Sequence, residues 1–451
     1  MAIAWPLAVS MVSLTLKQLV DTLMVAGLGT EALAAVGLGG VIAFNILSYP
    51  IGVFRSQKPL VSQYLGAGDT RTALSFGAQG FYLAIGFSFI CLVLAWVAAD
   101  LTQPLISRTG LSAESVGMCT EYMSWRIGWG VPYLLGMAIA EYQRGTGRTR
   151  LPMAVDLIAH PLNVFFNWVL IFGNLGFPEL GVKGAAIGTG LADLVGLILL
   201  LRFAAPRKIR DIPWAALRFH GRRLWRCLTV GSAGGIQFVL EIGSFTMITI
   251  MIGHLGTTSL AAHQAAIAVL HLSWLPGIAL GDGCAVLVGK YVGKQNLEAV
   301  HRTFRSSLSI IMPFMLTVGL GFVIFSGPLM SLFLKNDDPE VQLRAIELGS
   351  RVLIVAVFWQ FFDALQILFR FSLRAAGDHK WVMFAGILCS WILSVPLVYL
   401  VVFVLEQGLI SVWLAWSVEL VAGTWIFYRR WRGGVWKTKR LVRDDESARP
   451  P

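Results

Sequence analysis

The sequence predicts an all-α integral membrane protein with twelve transmembrane helices in two pseudo-symmetric six-helix bundles. Composition, the length of the apolar runs and an internal repeat predict this class. Of the 451 residues, 56% are apolar and 14% are charged, against roughly 45–50% and about a quarter in soluble proteins. A mean hydropathy of +0.70 leaves too few polar residues to cover a water-soluble surface. Soluble, disordered and fibrous classes are therefore excluded.

The apolar runs give the number of spans, because a helix needs about 20 mostly apolar residues to cross a bilayer. Strands of a membrane barrel would instead alternate in polarity over about 10 residues. The predicted spans are 1–27, 32–65, 73–99, 122–143, 151–173, 183–203, 224–252, 259–292, 304–330, 347–372, 381–404 and 408–429. The N-terminus lacks a basic segment and a cleavage signature, so we expect a retained first span and not a signal peptide.

The Lys and Arg residues predict the orientation, because cytoplasmic loops carry an excess of them. The loops after even-numbered spans and the C-terminal tail hold 27 of the 36, whereas the opposite loops hold only Arg108, Lys183, Lys335 and Arg344. Both termini and the basic connection from 202 to 226 are therefore expected in the cytoplasm. The net charge of +11 is explained by topology, with a minor role in binding anionic lipid heads, and not by nucleic-acid binding.

An internal repeat predicts two related halves. A shift of 227 aligns 24–66 with 251–293, and a shift of 230 aligns Trp129 and Arg144 with Trp359 and Arg374. The expected organisation is an N-terminal lobe (1–204), a basic linker (205–223), a C-terminal lobe (224–430) and a tail (431–451). Six spans per repeat leave both copies in the same orientation, which suits alternating access about a central site. The alternative is a duplicated structural scaffold.

Ionisable residues inside the spans are functional candidates, because each costs roughly 2.5–3.5 kcal/mol at mid-membrane. Asp21, Glu241 and Asp363 favour a function in binding protons, sodium or organic cations. For Asp156, Asp193 and Glu419, a structural role in which a neighbouring group neutralises the acid is at least as well supported as a functional one. Further charges in the spans are Lys17, Arg55, Lys58, Arg126 and Asp282. Lys17 precedes Asp21 by four residues and could pair with it on one helix face.

Enzyme, cofactor and structural-metal sites find no support. The five cysteines include no CxxC pair, and the seven histidines show no ligand spacing. No GxxxxGK[ST] loop is present, which argues against ATP as the energy source, and neither HExxH nor GxSxG occurs. Most aromatic residues, among them Trp359, are typical of interfacial belts or packing. A few could hold a flat cation against a ring face.

Several short motifs resemble those of multidrug and toxin extrusion (MATE) transporters, within the multidrug/oligosaccharidyl-lipid/polysaccharide exporter superfamily. They fall in both halves and cover nearly the whole chain. They are VDTLM at 20–24, GLG at 27–29, LAAVG at 33–37, RGTGRTR at 144–150, GVKGAAIGT at 181–189, LAAHQ at 260–264 and FDALQ at 362–366 with RAAGD at 374–378.

The resemblance implies a fold with a V-shaped cleft and export of cationic or amphipathic compounds against protons or sodium. It implies that Asp21 is the first-span acid and Pro6 the site of a helix bend. The fifth-span pattern of Asn and Asp falls on Asn163 and Asn167, so the second carboxylate is missing, and Thr189 matches the threonine of the same site. Glu241 and Asp363 match acids of the C-terminal lobe, where a sodium site is expected.

Five residues are candidates for the substrate cavity. Lys17, Arg55 and Asp282 depart from the family pattern, and Gln264 and Trp359 are the other two. We therefore expect a secondary antiporter, monomeric and multi-pass in the inner (plasma) membrane, with organic cations as substrates and no cofactor besides the coupling ion. The alternative is a flippase for a lipid-linked saccharide, which would need a cationic cavity built from Arg55, Lys58 and Arg126.

Overall fold

The computed structural model describes residues 3–106, 112–204, 214–334 and 339–443, and no β-strand occurs in these ranges. Arg108, Lys335, the linker residues 205–213 and the tail beyond 443 lie outside the described residues. The helices are α1 (Ala4–Ala26), α2 (Thr30–Arg55), α3 (Gln57–Gly66), α4 (Thr70–Ile106), α5 (Ala113–Gly128), α6 (Gly130–Gly145), α7 (Arg150–Phe172), α8 (Gly181–Ala204), α9 (Trp214–Leu217), α10 (Gly221–Gly253), α11 (Thr257–Gly293), α12 (Leu297–Ile324), α13 (Ser326–Phe333), α14 (Pro339–Ala376), α15 (His379–Ile387), α16 (Val395–Tyr399) and α17 (Leu409–Arg432).

Eleven of the helical segments in the described ranges are long and apolar enough to cross a membrane. The fourth predicted span, 122–143, differs from the others, because the helix is interrupted at Trp129. The resulting α5 and α6 have 16 residues each, fewer than the roughly 20 that a crossing needs. Together they supply the twelfth span. The eleventh span contains two π-helical stretches, Leu388–Ser394 and Leu400–Val404.

The internal repeat is visible in the backbone. The segment Thr30–Gly66, formed by α2 and α3, and the helix α11, Thr257–Gly293, begin and end at positions that are 227 residues apart. Both are preceded by a glycine in a left-handed conformation, with φ of 108° at Gly29 and 99° at Gly256. Side chains with a Cβ rarely adopt such φ values, so the glycine in each copy permits the same turn.

The described residues divide into two compact units. The N-terminal unit comprises residues 9–235 with Val442 and Arg443, and the C-terminal unit comprises residues 3–8 and 236–441. The boundary falls inside α10. The lobes expected at 1–204 and 224–430 with a linker at 205–223 stay a prediction.

In the N-terminal unit, α7 and α8 pack closely because glycines face α7. A Cβ on Gly184 would overlap the Leu170 carbonyl oxygen, and one on Gly188 would overlap the Asn167 side chain. The absence of these methyl groups brings the two backbones together. Polar side chains of α7 therefore come within hydrogen-bonding distance of α8.

In the C-terminal unit, α14 packs between α11 and α17. Its core contains a group of aromatic rings, in which Trp359 contacts Trp413 and Trp416 with ring centroids 6.0 and 5.3 Å apart. His263 and Phe245 pack on the same tryptophans. These contacts hold α14 and α17 side by side. Asp363 follows Trp359 by one turn on α14, and Glu419 follows Trp416 by one turn on α17.

Candidate functional site

The carboxylate of Asp21 on α1 is hydrogen-bonded by two amides of α7. Asn167 Nδ2 donates to Asp21 Oδ1 at 2.8 Å. In the amide orientation that satisfies both of its ends, Asn163 donates to the two oxygens of Asp21 at 2.7 and 3.2 Å and accepts from Thr189 Oγ1 at 3.0 Å. The four residues predicted from the sequence therefore lie together. We call them the Asp21 site.

Burial and charge set the properties of the Asp21 site. Asn163 and Asn167 are 0% and 1% exposed, whereas Asp21 is half-buried. An amide buried at this depth needs hydrogen-bond partners, and the carboxylate provides them for the NH₂ groups, whereas Asn167 Oδ1 accepts no hydrogen bond from the described residues. In the described part of the chain no ion pair joins Lys17 to Asp21, although Lys17 acts on it electrostatically. Arg126 also acts on Asp21 electrostatically, but its ion pair is with Asp193, at 3.5 Å. Lys17 therefore influences Asp21 through its charge, without forming the ion pair suggested from the sequence.

A second polar cluster, in the C-terminal unit, surrounds Arg370 of α14. Its guanidinium forms a salt bridge with Glu241 of α10 and donates to Gln366 Oε1 at 3.2 Å. Glu241 Oε1 also accepts from Gln237 Nε2 at 2.7 Å. Gln366 Nε2 donates to Glu419 of α17 at 3.4 Å. We call these five residues together with Asp363 the Arg370 cluster.

Asp363 belongs to this cluster through its position on α14. It precedes Arg370 by seven residues, two helical turns, and therefore lies on the same face of the helix. It is half-buried and acts electrostatically on Glu419. Glu241 acts electrostatically on Asp363, so the two acids lie near each other, but a cation site at these residues stays a prediction. The cluster also includes Glu419, for which a structural role was expected. Within the described ranges, no three His, Cys, Asp or Glu side chains are arranged to hold a metal ion.

Sequence reasoning missed Arg370 and Glu141. Each charge stands inside a predicted span, Arg370 in 347–372 and Glu141 in 122–143, so the cost of burying a charge was a signal that could have found them. Both residues lie near the end of their predicted span, where a charge is less costly, so this signal was weak. The pairing itself could not be read from the sequence, because Glu241 and Arg370 are separated by 129 positions.

Glu141 organises a buried ion network in the N-terminal unit. It lies 3.1 Å from Lys58 Nζ and accepts from Arg144 at 2.7 Å, and Arg144 reaches Asp156 at 3.6 Å. Lys58 and Glu141 are 4% and 1% exposed, and Arg55 is half-buried and acts electrostatically on Glu141. Asp156 therefore has the cationic partner expected for a structural acid.

The remaining candidates lie in different surroundings. Pro6 is in the first turn of α1, where a proline removes no intrahelical hydrogen bond, so a bend of α1 at Pro6 stays a prediction. Gln264 is exposed on α11, and Asp282 is buried on the same helix. Trp359 packs in the aromatic core described above. A role of these residues in the substrate cavity also stays a prediction.

Comparison with known proteins identifies the family. The MatE family model matches residues 6–169 and 235–400. A probable multidrug resistance protein NorM of Pseudomonas putida is 29% identical over 98% of this chain and 94% of its own length. A protein of the same name from Pseudomonas syringae is 26% identical over 98% and 95%.

Solved structures share the fold. A transporter of the MOP superfamily from Pyrococcus furiosus has a TM-score of 0.87 at 19% identity, over 97% of this chain and 96% of that chain. A mutant of the MATE transporter VcmN of Vibrio cholerae has a TM-score of 0.83 at 19% identity, over 96% and 97%. At this identity the likeness concerns the fold alone, and it confirms the twelve-helix architecture.

The family model covers well over half of the 451 residues and includes both repeats. The resemblance inferred from the short motifs is thereby confirmed. The family consists of membrane transporters and not of enzymes, so an enzymatic function is set aside. The chain belongs to the MatE family.

Proposed function

We propose that this protein is a secondary active multidrug efflux antiporter that exports organic cations or amphipathic compounds in exchange for protons. Relatives named multidrug resistance proteins support the substrate class. The observation that carries the coupling mechanism is the Asp21 site, where N–H groups of α7 donate hydrogen bonds to a half-buried carboxylate on α1.

The donors at the Asp21 site favour a proton over sodium. Hard cations bind oxygen ligands, but Asn163 and Asn167 turn their NH₂ groups to the carboxylate, and the Asn163 oxygen is engaged by Thr189. Among the described residues Asn167 Oδ1 accepts no hydrogen bond, so the two amides offer one neutral oxygen to a metal ion. A family pattern with a second carboxylate would offer more oxygen and more negative charge. Asn167 stands in its place. A proton needs a single lone pair, which Asp21 supplies.

The Arg370 cluster also disfavours sodium. Glu241 is neutralised by the guanidinium of Arg370, so a built-in cation occupies the place expected for sodium beside Glu241 and Asp363. A metal ion would have to displace this salt bridge. We propose that Arg370 holds the cluster together during proton-coupled transport, and that sodium binding at Glu241 and Asp363 is weak while Arg370 is present.

The proposed cycle follows from the hydrogen bonds of Asp21. The ionised carboxylate accepts from both amides and attracts a cationic substrate. A protonated carboxyl carries an O–H donor and accepts less strongly, so its fit to two amide donors is poorer and α1 shifts relative to α7. The substrate then loses its negative partner and leaves. An entering proton gains about 2.3 kcal/mol per 100 mV of membrane potential, but an exported monovalent cation costs the same amount. A one-for-one exchange is therefore driven by the pH difference, about 1.4 kcal/mol per unit.

The flippase alternative has weaker support. It needs unpaired cations for a pyrophosphate, but Lys58 is paired with Glu141 and Arg126 with Asp193. We further propose that the protein works as a monomer in the inner (plasma) membrane with both termini in the cytoplasm. The distribution of Lys and Arg supports this orientation.

Transport of a fluorescent dye cation tests the proposal. The protein is reconstituted into liposomes, and movement of the dye across the liposome membrane is driven either by a proton gradient or by a sodium gradient. We expect transport with the proton gradient, its loss in Asp21→Asn, and normal transport in the matched control Glu298→Gln, which removes an exposed acid. Full transport by Asp21→Asn, or transport with sodium alone, would overturn the proposal.

A further inference from the structure

Two polar stripes face each other along α1 and α7. On α7, Asp156, His160, Asn163 and Asn167 follow one another at spacings of four, three and four residues. On α1, Ser13, Lys17 and Asp21 are spaced by four residues. Residues three or four apart share one face of a helix, so each set forms a continuous stripe.

Hydrogen bonds join the two stripes in register. His160 Nδ1 lies 2.7 Å from Ser13 Oγ, two helical turns from the Asp21 site on α1. The stripe therefore extends from Asp21, past His160, to Asp156 at the N-terminal end of α7. There Asp156 meets Arg144 at 3.6 Å. His160 is the one histidine in this stripe, and the proposed cycle as described above does not use it.

Charged groups of both signs surround His160. From α1 it faces Lys17, from its own helix Asp156, and from α8 Asp193. Arg144 of α6 is bound to Asp156, and Arg126 of α5 is bound to Asp193. Acids that favour an imidazolium and bases that oppose it therefore act together. Histidine is the side chain whose charge most readily changes near neutral pH, and the contact with Ser13 holds this ring in the line of polar groups that leads from Asp21.

We propose that His160 is the proton-transfer residue that receives the proton leaving Asp21 and passes it toward the N-terminal end of α7. This inference rests on the proposed function, because it assumes that Asp21 is the coupling acid. The O–H bond of the Asp21 carboxyl breaks, a chain of water molecules relays the proton along the two helical turns that separate Asp21 from the Ser13–His160 contact, and a lone pair of the imidazole forms the new N–H bond. Asp21 becomes a carboxylate and His160 an imidazolium. Release to solvent water restores the neutral ring.

Ser13 gives the ring its orientation. Its hydroxyl engages Nδ1, so Nε2 is the nitrogen that exchanges protons. Ser13 is a positioning residue in this scheme and His160 the residue that carries the proton. Ser13→Ala should therefore slow transport less than a change of His160 itself.

The test compares His160→Gln, His160→Ala and the control His254→Gln, which changes an exposed histidine of the C-terminal unit. Dye efflux in proteoliposomes is measured against pH, together with binding of the dye to purified protein. We expect His160→Gln to bind the dye normally but to lose about 10²-fold in proton-driven rate, the lower end of what a positioned proton-transfer group contributes. Added imidazole should restore transport in His160→Ala, which a purely structural role would not allow.

The outcomes separate this inference from the proposed function. Loss of transport in Asp21→Asn with an unchanged rate and pH profile in His160→Gln would overturn the role of His160 alone. Normal transport in Asp21→Asn would overturn both. A variant of His160 that melts at the wild-type temperature, binds dye and cannot be rescued by imidazole would also contradict proton transfer by this side chain.

Discussion

Replacing Arg370 by glutamine should convert the Arg370 cluster into a sodium site. The guanidinium is the cation that neutralises Glu241, and Asp363 and Glu419 lie within its electrostatic reach. Without it, Glu241, Asp363 and Glu419, which act on one another electrostatically, lose the guanidinium that balances them. Arg374, which donates to Gln237, is a cation that remains beside the cluster. Either protons or a small cation must then balance the three acids.

The magnitude follows from burial. Breaking a buried ion pair by removing one partner costs about 3–5 kcal/mol. The side chains of Arg370 and Glu241 are 14% and 27% exposed, so partial solvation reduces the expected loss to about 2–4 kcal/mol. Sodium should restore part of it. A cation present at 100 times its dissociation constant stabilises the native state by about 2.7 kcal/mol.

The assay measures the stability of purified protein in NaCl and in choline chloride at equal ionic strength. We expect no sodium-specific stabilisation of the wild type and a clear one for Arg370→Gln. The matched control is Arg351→Gln, which removes an arginine of the same helix whose side chain is 63% exposed, and should change stability by less than about 0.5 kcal/mol. Sodium-specific stabilisation of the wild type that disappears in Glu241→Gln would refute the reasoning.

Three further changes test individual contacts. Asn167→Asp places a second carboxylate against Asp21, so the pair should share a proton and the pH optimum of dye efflux should rise; an unchanged optimum would contradict the Asp21 site. Lys58→Met leaves Glu141 with fewer partners and should cost about 3 kcal/mol of stability, whereas a loss below 1 kcal/mol would mean that Arg144 alone suffices. Gly377→Ala should lower the melting temperature, because φ is 106° and a Cβ would collide with the backbone of the C-terminal segment; unaltered melting would argue against this turn.

Much of the Asp21 site could be predicted from the sequence. Asp21, Asn163, Asn167 and Thr189 were predicted from their places in spans one, five and six and from the family resemblance, and they lie in one hydrogen-bonded group. A charge or amide in an apolar span is costly, so each stands out against its surroundings. The roles of these residues in coupling stay predictions until transport is measured.

The apolar run lengths, the repeat and the acids inside the spans were fixed by the sequence alone, because the bilayer imposes length and polarity on each helix separately. Which charges neutralise one another was decided only by the tertiary structure. Arg370 and Glu241 meet across 129 positions, and Asp21 and Asn167 across 146. Such pairs depend on how helices rotate and pack, down to the absence of a Cβ on Gly188. A periodic pattern within one helix contains no information on the partner that its polar face will meet.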